Sequence, residues 1–279
     1  MERLYNEPLK KHTSFKIGGP PEELVIPENE KELIKEIKRC KKSKIKYRIL
    51  GKGSNILVND KGVRGVVIKN TKACQKLKKS KNIVDVGGSV PLQKFTKFCI
   101  DNNLEGMEYL FSIPATVGGA LYMNAGRGKK HNLSISDNLV SITIFNGYEK
   151  RKLTRKECKF DHRYSIFHKK PEWIILEAKF KLKEQPKEAG IKKIKERIDF
   201  VNKDQPRKYP SAGTVFKKNS LIASILLNNL KIRDAQIKGN WIINKGNASY
   251  KDVIKLIKIN KFINYLVLRK PEIEVEIWD

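Results

Sequence analysis

Two short segments carry residue types at spacings that suit binding of an anion. The first is Leu50-Gly51-Lys52-Gly53-Ser54-Asn55, set between two apolar runs. Glycine at 51 and 53 lets the backbone reach positive φ and approach a ligand closely. Successive N–H groups of such a turn form a concave nest for negative charge, and Ser54 and Asn55 add side-chain donors. The second segment runs Ser112-Ile113-Pro114-Ala115-Thr116-Val117-Gly118-Gly119-Ala120 and ends at Met123-Asn124-Ala125-Gly126. So many small residues bury little side-chain surface. They admit something flat or charged against the backbone, helped by the N–H groups of a helix start. A plainer use stays open for each: a glycine turn between strands for the first, close helix packing for the second. Neither fits the G-x-x-x-x-G-K-[ST] or G-x-G-x-x-G phosphate patterns. A dinucleotide, with its two phosphates, would engage both loops at once.

The elements that must hold these loops alternate in type. Leu33, Ile34, Ile37 and Cys40 recur at helical spacing and predict a helix over 31–44. Short strands follow at 47–50, 65–68 and 83–86, then a helix from Pro91 to Asp101, where proline suits the first turn. SITIFNG (141–147) and WIILEAKFKL (173–182) read as strands, the second with period-two alternation. The polar, Pro- and Gly-containing KEQPKEAG (183–190) breaks the pattern and marks a boundary. Beyond it the pattern predicts helices near 187–203, 219–230 and 249–268, a turn around Tyr209–Gly213, and strands at 241–244 and in the terminal IEVEIW. This is an α+β layout, divided into lobes at 1–75, 76–182 and 183–279.

Composition narrows the class. With 279 residues, 39% of them apolar, the chain can bury a sizeable core across two or three lobes. No uninterrupted apolar stretch reaches the roughly 18 residues of a membrane span. The opening MERLYNEPLKKHTSF has no apolar signal region, so a cytoplasmic protein is expected. Lys and Arg outnumber Asp and Glu by 59 to 30, a net +29 that favours anionic partners. The excess is mostly Lys spread along the whole chain, as solvated helix faces carry it, so no specific nucleic-acid partner is expected. Cys40, Cys74, Cys99 and Cys158 form no C-x-x-C pair. Neither they nor His12, His131, His162 and His168 form a metal motif. Reduced structural thiols and no metal are expected.

Taken in order, the motifs resemble a known family. Thr13-Ser14-Phe15-Lys16-Ile17-Gly18-Gly19, the two small-residue loops, and Arg163-Tyr164-Ser165-Ile166-Phe167 are similar to segments of the UDP-N-acetylenolpyruvoylglucosamine reductases (MurB). So are Tyr209-Pro210-Ser211-Ala212-Gly213-Thr214-Val215-Phe216-Lys217, Asn240-Trp241-Ile242-Ile243-Asn244 and Pro271-Glu272-Ile273. The last stands against the family's P-E-V. The modest length resembles the shorter subclass.

The resemblance implies a two-lobed FAD-binding domain of the PCMH/vanillyl-alcohol-oxidase type plus a C-terminal α+β substrate domain. It implies non-covalent FAD, reduced by NADPH, and a sugar-nucleotide substrate, UDP-N-acetylglucosamine-enolpyruvate, in a monomer without membrane attachment. Cofactor contacts would come from Gly51, Lys52, Gly53, Ser54, Asn55, Ile113, Pro114, Ala115, Thr116, Gly118, Gly119, Asn124 and Gly126. Substrate contacts would come from Tyr209, Lys217, Lys218 and Asn240. Reduction of an enol ether beside a carboxylate calls for a cation to hold developing charge and an O–H to deliver a proton. By motif these are Arg163 and Thr214, with Glu272 as the catalytic acid. Thr214 stands where the family has Ser; the hydroxyl is kept and a methyl added. Lys218 replaces Asn, His162 replaces Tyr, Lys238 replaces a common His, and Arg127-Gly128-Lys129 replaces A-Y-G. Two other readings stay open at this point. An FAD-linked oxidase on the same flavin domain would consume oxygen. A degenerate basic nucleic-acid-binding protein would be colourless.

Overall fold

The computed structural model of the chain describes residues 1–128, 133–206 and 208–279. Lys129 and His131, named above, lie outside them. The chain divides into two compact units, each built from separate stretches. The first comprises Met1–Arg3, Leu24–Lys52 and Gly65–Asp204; the second comprises Leu4–Glu23, Gly53–Arg64 and Gln205–Asp279.

In the first unit, helix α1 (Glu30–Lys42) forms where the apolar spacing placed it. Asn29 caps it by accepting from Glu32 N at 3.0 Å, and Leu33, Ile37 and Cys40 are buried. These residues pack with Val25, Val66 and Ile68 of a four-stranded sheet ordered Glu2–Leu4, Pro21–Ile26, Val63–Lys69, Tyr47–Leu50. The last two strands are parallel, with Tyr47 opposite Val66. A second sheet is antiparallel throughout. Its order is Lys150–Thr154, Leu139–Phe145, Ile174–Lys181, Ile83–Gly87, Leu77–Ser80. Helices α2 (Leu92–Asp101) and α3 (Val117–Tyr122) share its core, where the Phe95 and Phe180 rings lie 5.2 Å apart. Pro91 is the N-cap of α2 rather than its first-turn residue.

Helix α4 (Lys187–Asp204) belongs to this first unit. It approaches α2 so closely that a Cβ at Gly190 would sit 2.8 Å from Ile100 Cγ1. Lys187 pairs with Asp101 and Lys193 with Glu105. The units therefore cut the chain elsewhere than at 75/76 and 182/183. A polar, Pro-containing stretch marks a turn in the path, and only tertiary contact decides which core the next helix joins.

The second unit has its own core, in which Phe15, Ile17 and Leu57 pack with Val215, Ile237, Ile242 and Leu256. Its sheet runs Ser211–Thr214, Trp241–Asn244, Ala235–Lys238, Lys231–Ile232. Part of the expected turn at Tyr209–Gly213 is thus a strand, broken in register at Gly213, whose φ is +77°. The helix expected over 219–230 is the shorter α5 (Leu221–Leu226), and α6 (Tyr250–Leu266) follows. The terminal IEVEIW is not one strand. Glu272–Ile273 pairs with Phe216–Lys218, and Glu276–Trp278 runs parallel to Ile56–Val58. All four cysteines are buried free thiols; burial pushes Cys74 and Cys158 up to about 12. Among the described residues no helix is long and apolar enough to cross a membrane.

Candidate active site

The first glycine turn keeps the geometry its sequence allows. Gly53 has φ +65°, and a Cβ there would meet His12 O at 2.4 Å. Its carbonyl accepts from Ser14 N at 2.9 Å. The consecutive N–H groups of Gly51, Lys52, Gly53 and Ser54 donate to no acceptor among the described residues. A Cβ on Gly51 would lie 2.9 Å from Thr116 Oγ1, so the first turn reaches the second loop. Asn55 has a different task. Its Nδ2 donates to Glu274 O at 3.0 Å, and its carbonyl accepts from Glu276 N at 2.9 Å.

The second loop is stitched to α2. Ile113 O accepts from Gln93 Nε2 and Ala115 O from Leu92 N, each at 3.0 Å; Pro114 lies between them. Thr116 caps α3 by accepting from Gly119 N at 3.2 Å. Val117 N donates to Val90 O and Gly118 N to Gly88 O. The N–H groups expected to grip a ligand at this helix start therefore serve the protein itself. Gly118 is small for packing, since its Cβ would touch Gly88 O at 3.0 Å; at Gly126 a Cβ would meet Leu133 O at 1.9 Å. Asn124 is left-handed (φ +43°) and buried; its Nδ2 donates to Asp161 O at 2.9 Å, while Oδ1 is buried without a partner.

Arg163 is brought to the end of this loop. It occupies a tight turn, closed by reciprocal bonds between Asp161 and Tyr164, at φ +53°. Its Nη2 donates to Gly126 O at 3.0 Å. Ser165 Oγ donates to Tyr122 O at 2.6 Å, and the His168 ring lies 4.4 Å from that of Tyr122 and 5.1 Å from that of Tyr164. The Arg163-to-Phe167 motif thus anchors itself on residues 122–126, within one unit.

In the second unit, Thr214 Oγ1 donates to Glu274 Oε2 at 2.9 Å. Glu274 is fixed on both sides of its backbone: its N–H donates to Val215 O at 2.8 Å, and its carbonyl takes the Asn55 bond. Glu272 points to another partner. It lies opposite Lys218 across the strand pair, is 45% exposed, and bonds the Lys218 ammonium. That ammonium, lying beside it, holds its carboxyl below the usual range. Glu272, expected as the catalytic acid, makes no bond to Thr214 among the described residues; the carboxylate that takes the Thr214 bond is Glu274, two positions on. The sequence held the cue, because the family's P-E-V is met in part twice, by Pro271-Glu272 and by Glu274-Val275. Only strand pairing separates the two glutamates.

Asn240 holds the neighbouring strand. Its carbonyl accepts from Val215 N at 2.9 Å and its Nδ2 donates to Phe216 O at 2.8 Å. Lys217, Lys218, Asn219 and Glu272 line a concavity of about 800 Å³. Tyr209 lies apart from these, its ring flanked by Lys208 and Lys245.

Comparison with known proteins bears on this geometry. Residues 21–150 match a family model described as an FAD binding domain. UDP-N-acetylenolpyruvoylglucosamine reductase 1 of Bacillus cereus (strain ATCC 14579) is 36% identical over 92% of this chain and 88% of its own length. The reductase of Bacillus subtilis (strain 168) is 37% identical over 91% and 86%. The chain belongs to the UDP-N-acetylenolpyruvoylglucosamine reductase family. The solved MurB of Thermus caldophilus covers 100% of the chain and 98% of its own, at 34% identity and a TM-score of 0.81. The fold class is that of this family: an FAD-binding domain of mixed α and β structure with a further α+β part towards the C-terminus.

The residues present fit a flavin dinucleotide. The N–H groups at 51–54 and the buried Asn124 Oδ1 have no partner among the described residues; the first suit a diphosphate and the second a ring N–H.

Proposed function

We propose that this reductase binds FAD non-covalently, takes reducing equivalents from NADPH, and converts UDP-N-acetylglucosamine-enolpyruvate to UDP-N-acetylmuramate, a precursor of peptidoglycan. The bond from the Thr214 hydroxyl to the Glu274 carboxylate is the observation that carries the reading. When bound and reduced by NADPH, the flavin would supply the hydride. The chain must supply the rest: a hold on the substrate's carboxylate, and one proton for the carbon beside it.

Arg163 meets the first need. A guanidinium presents a planar fork to a carboxylate and stays charged as negative charge builds there. Its anchoring on Gly126 O fixes where the fork can point. Thr214 meets the second need. Glu274, once protonated, hands a proton to Thr214 Oγ1 as the hydroxyl passes its own to the substrate carbon. Lys217 and Lys218, with Asn240 holding their strand, offer cations to the substrate's diphosphate. Gly51, Lys52, Gly53 and Ser54 would cradle the cofactor's diphosphate, and Asn124 would hold its ring. The enzyme acts as a cytoplasmic monomer on this small sugar nucleotide and has no specific nucleic-acid partner.

The test follows bound-flavin absorbance in two half-reactions. Thr214→Ala is expected to leave bleaching by NADPH intact and to slow recovery on adding the enolpyruvyl sugar nucleotide by about a hundredfold or more, the range of a lost general acid. Thr214→Ser is expected to recover at least as fast as the parent. Equal recovery in the Ala variant removes Thr214 from the mechanism.

A further inference from the structure

The second unit turns an unusual face to solvent, which borders the concavity lined by Lys217 and Lys218 and extends beyond it along α5 and α6. On α5, Leu221, Ile222, Ile225 and Leu226 are all exposed, Leu221 to 75% and Leu226 to 66%. On the last turns of α6, Phe262, Tyr265 and Leu266 are exposed as well. Leu268, just past the helix end, is 94% exposed and held at φ +54°, a conformation that β-carbon sterics disfavour. Scattered surface leucines need no explanation, but a contiguous group does. These are contiguous: α5 packs beside α6, and Leu221, Ile222, Val267 and Leu268 line one concavity.

The charges around this face are mostly cationic; Glu272, at the edge of the concavity, is paired with Lys218. Residues 219–233 contain no Asp or Glu, and neither do residues 253–271. On α6, Lys258, Phe262, Leu266 and Arg269 follow at steps of four, four and three, so cations bracket the apolar residues along one stripe. Lys261 and Lys270 flank it. The face is thus apolar at its centre and cationic at its border.

We infer that the α5–α6 face docks peripherally on a bilayer rich in anionic lipid. Apolar side chains backed by Lys and Arg bind the interface by burying their apolar part while the cations meet lipid phosphates. The lack of any acid in these stretches removes the repulsion that would oppose such docking. Two copies of this chain packing face to face would set cationic border against cationic border, which disfavours self-association. A polynucleotide would satisfy the cations and stack bases on Phe262 and Tyr265, but Leu221, Ile222, Ile225, Leu226 and Leu266 are aliphatic and suit acyl chains rather than bases. No membrane-spanning segment is needed, and the second unit's own core stays intact.

The test uses the full-length, flavin-loaded protein and sedimentation with vesicles. One set is pure phosphatidylcholine and the other is doped with phosphatidylglycerol. The parent is expected to pellet with the acidic vesicles only, and less as salt is raised. Leu226→Ser combined with Leu266→Ser removes apolar contact; Lys258→Glu combined with Lys261→Glu reverses charge. Each pair lies outside the catalytic groups, so reductase turnover is expected to stay unchanged. Each is expected to lower the partition coefficient on acidic vesicles by on the order of tenfold. The inference is overturned by a parent that stays in the supernatant, by equal pelleting with neutral vesicles, or by variants that pellet like the parent. It is also overturned if sedimentation velocity shows a parent dimer that the serine variant dissociates. Binding to a single-stranded oligonucleotide that the serine variant loses would overturn it too.

Discussion

Glu272 and Glu274 stand two residues apart on the same terminal stretch, yet their surroundings give them different work. Glu272 is exposed beside the Lys218 ammonium, an ion pair that solvent screens. Glu274 is fixed through its backbone by Val215 and Asn55 and takes the Thr214 hydroxyl bond. Glu274→Gln keeps the shape but cannot reload a proton, so its turnover is expected to fall by about a hundredfold or more. Glu272→Gln is expected to lose less than about threefold, in line with a surface pair. Steady-state NADPH consumption with the enolpyruvyl sugar nucleotide distinguishes the two. Comparable losses in both variants would return the acid's role to Glu272.

Elements decide how the cofactor turn keeps its shape. The turn works because Gly53 sits at positive φ with its α-carbon pressed against the 12–13 backbone. Gly53→Ala puts a Cβ 2.4 Å from His12 O. It is expected to cost about 1–3 kcal/mol of stability and to strip flavin from the protein. The ratio of flavin to protein absorbance, with a thermal melt alongside, checks both effects. Gly118 and Gly126, expected as cofactor contacts, also serve packing: an added Cβ would lie 3.0 Å from Gly88 O and 1.9 Å from Leu133 O. A small residue beside a ligand site can be required by packing, and tertiary contacts reveal that requirement.

At the scale of the whole molecule, one buried carboxylate stands out in the first unit. Glu36 is 1% exposed, and Arg3 and Arg39 reach it at 2.8 and 2.7 Å. Burial alone would raise its pKa, but the bonds to Arg39 and Arg3 outweigh that and lower it below the ordinary 4.5. A folded-state value below the unfolded one stabilises the protein above about pH 4.5, and that stability is lost as pH falls through the folded value. Glu36→Gln is expected to cost about 2–3 kcal/mol at neutral pH, less than a fully buried pair because both Arg side chains are partly solvated. Its stability is also expected to change less with pH below about 4.5 than the parent's. Denaturant melts at neutral and acid pH check both. A variant whose acid limb parallels the parent's would show that Glu36 is not responsible for it.

Much of this protein was legible in the order of its residues. The periodicity of Leu33, Ile37 and Cys40 made α1 readable, alternation made Ile174–Lys181 readable, and the ordered motifs made the family and its flavin chemistry readable, because each rests on near neighbours in the chain. The sequence did not determine the composition of the units, in which Phe15 and Leu57 join a core with Leu256 while α4 joins the other. Nor did it determine which of two nearby glutamates meets Thr214. Both were decided by pairings between distant segments. A strand's partner, and so the group its side chain meets, depends on where the rest of the chain has already folded.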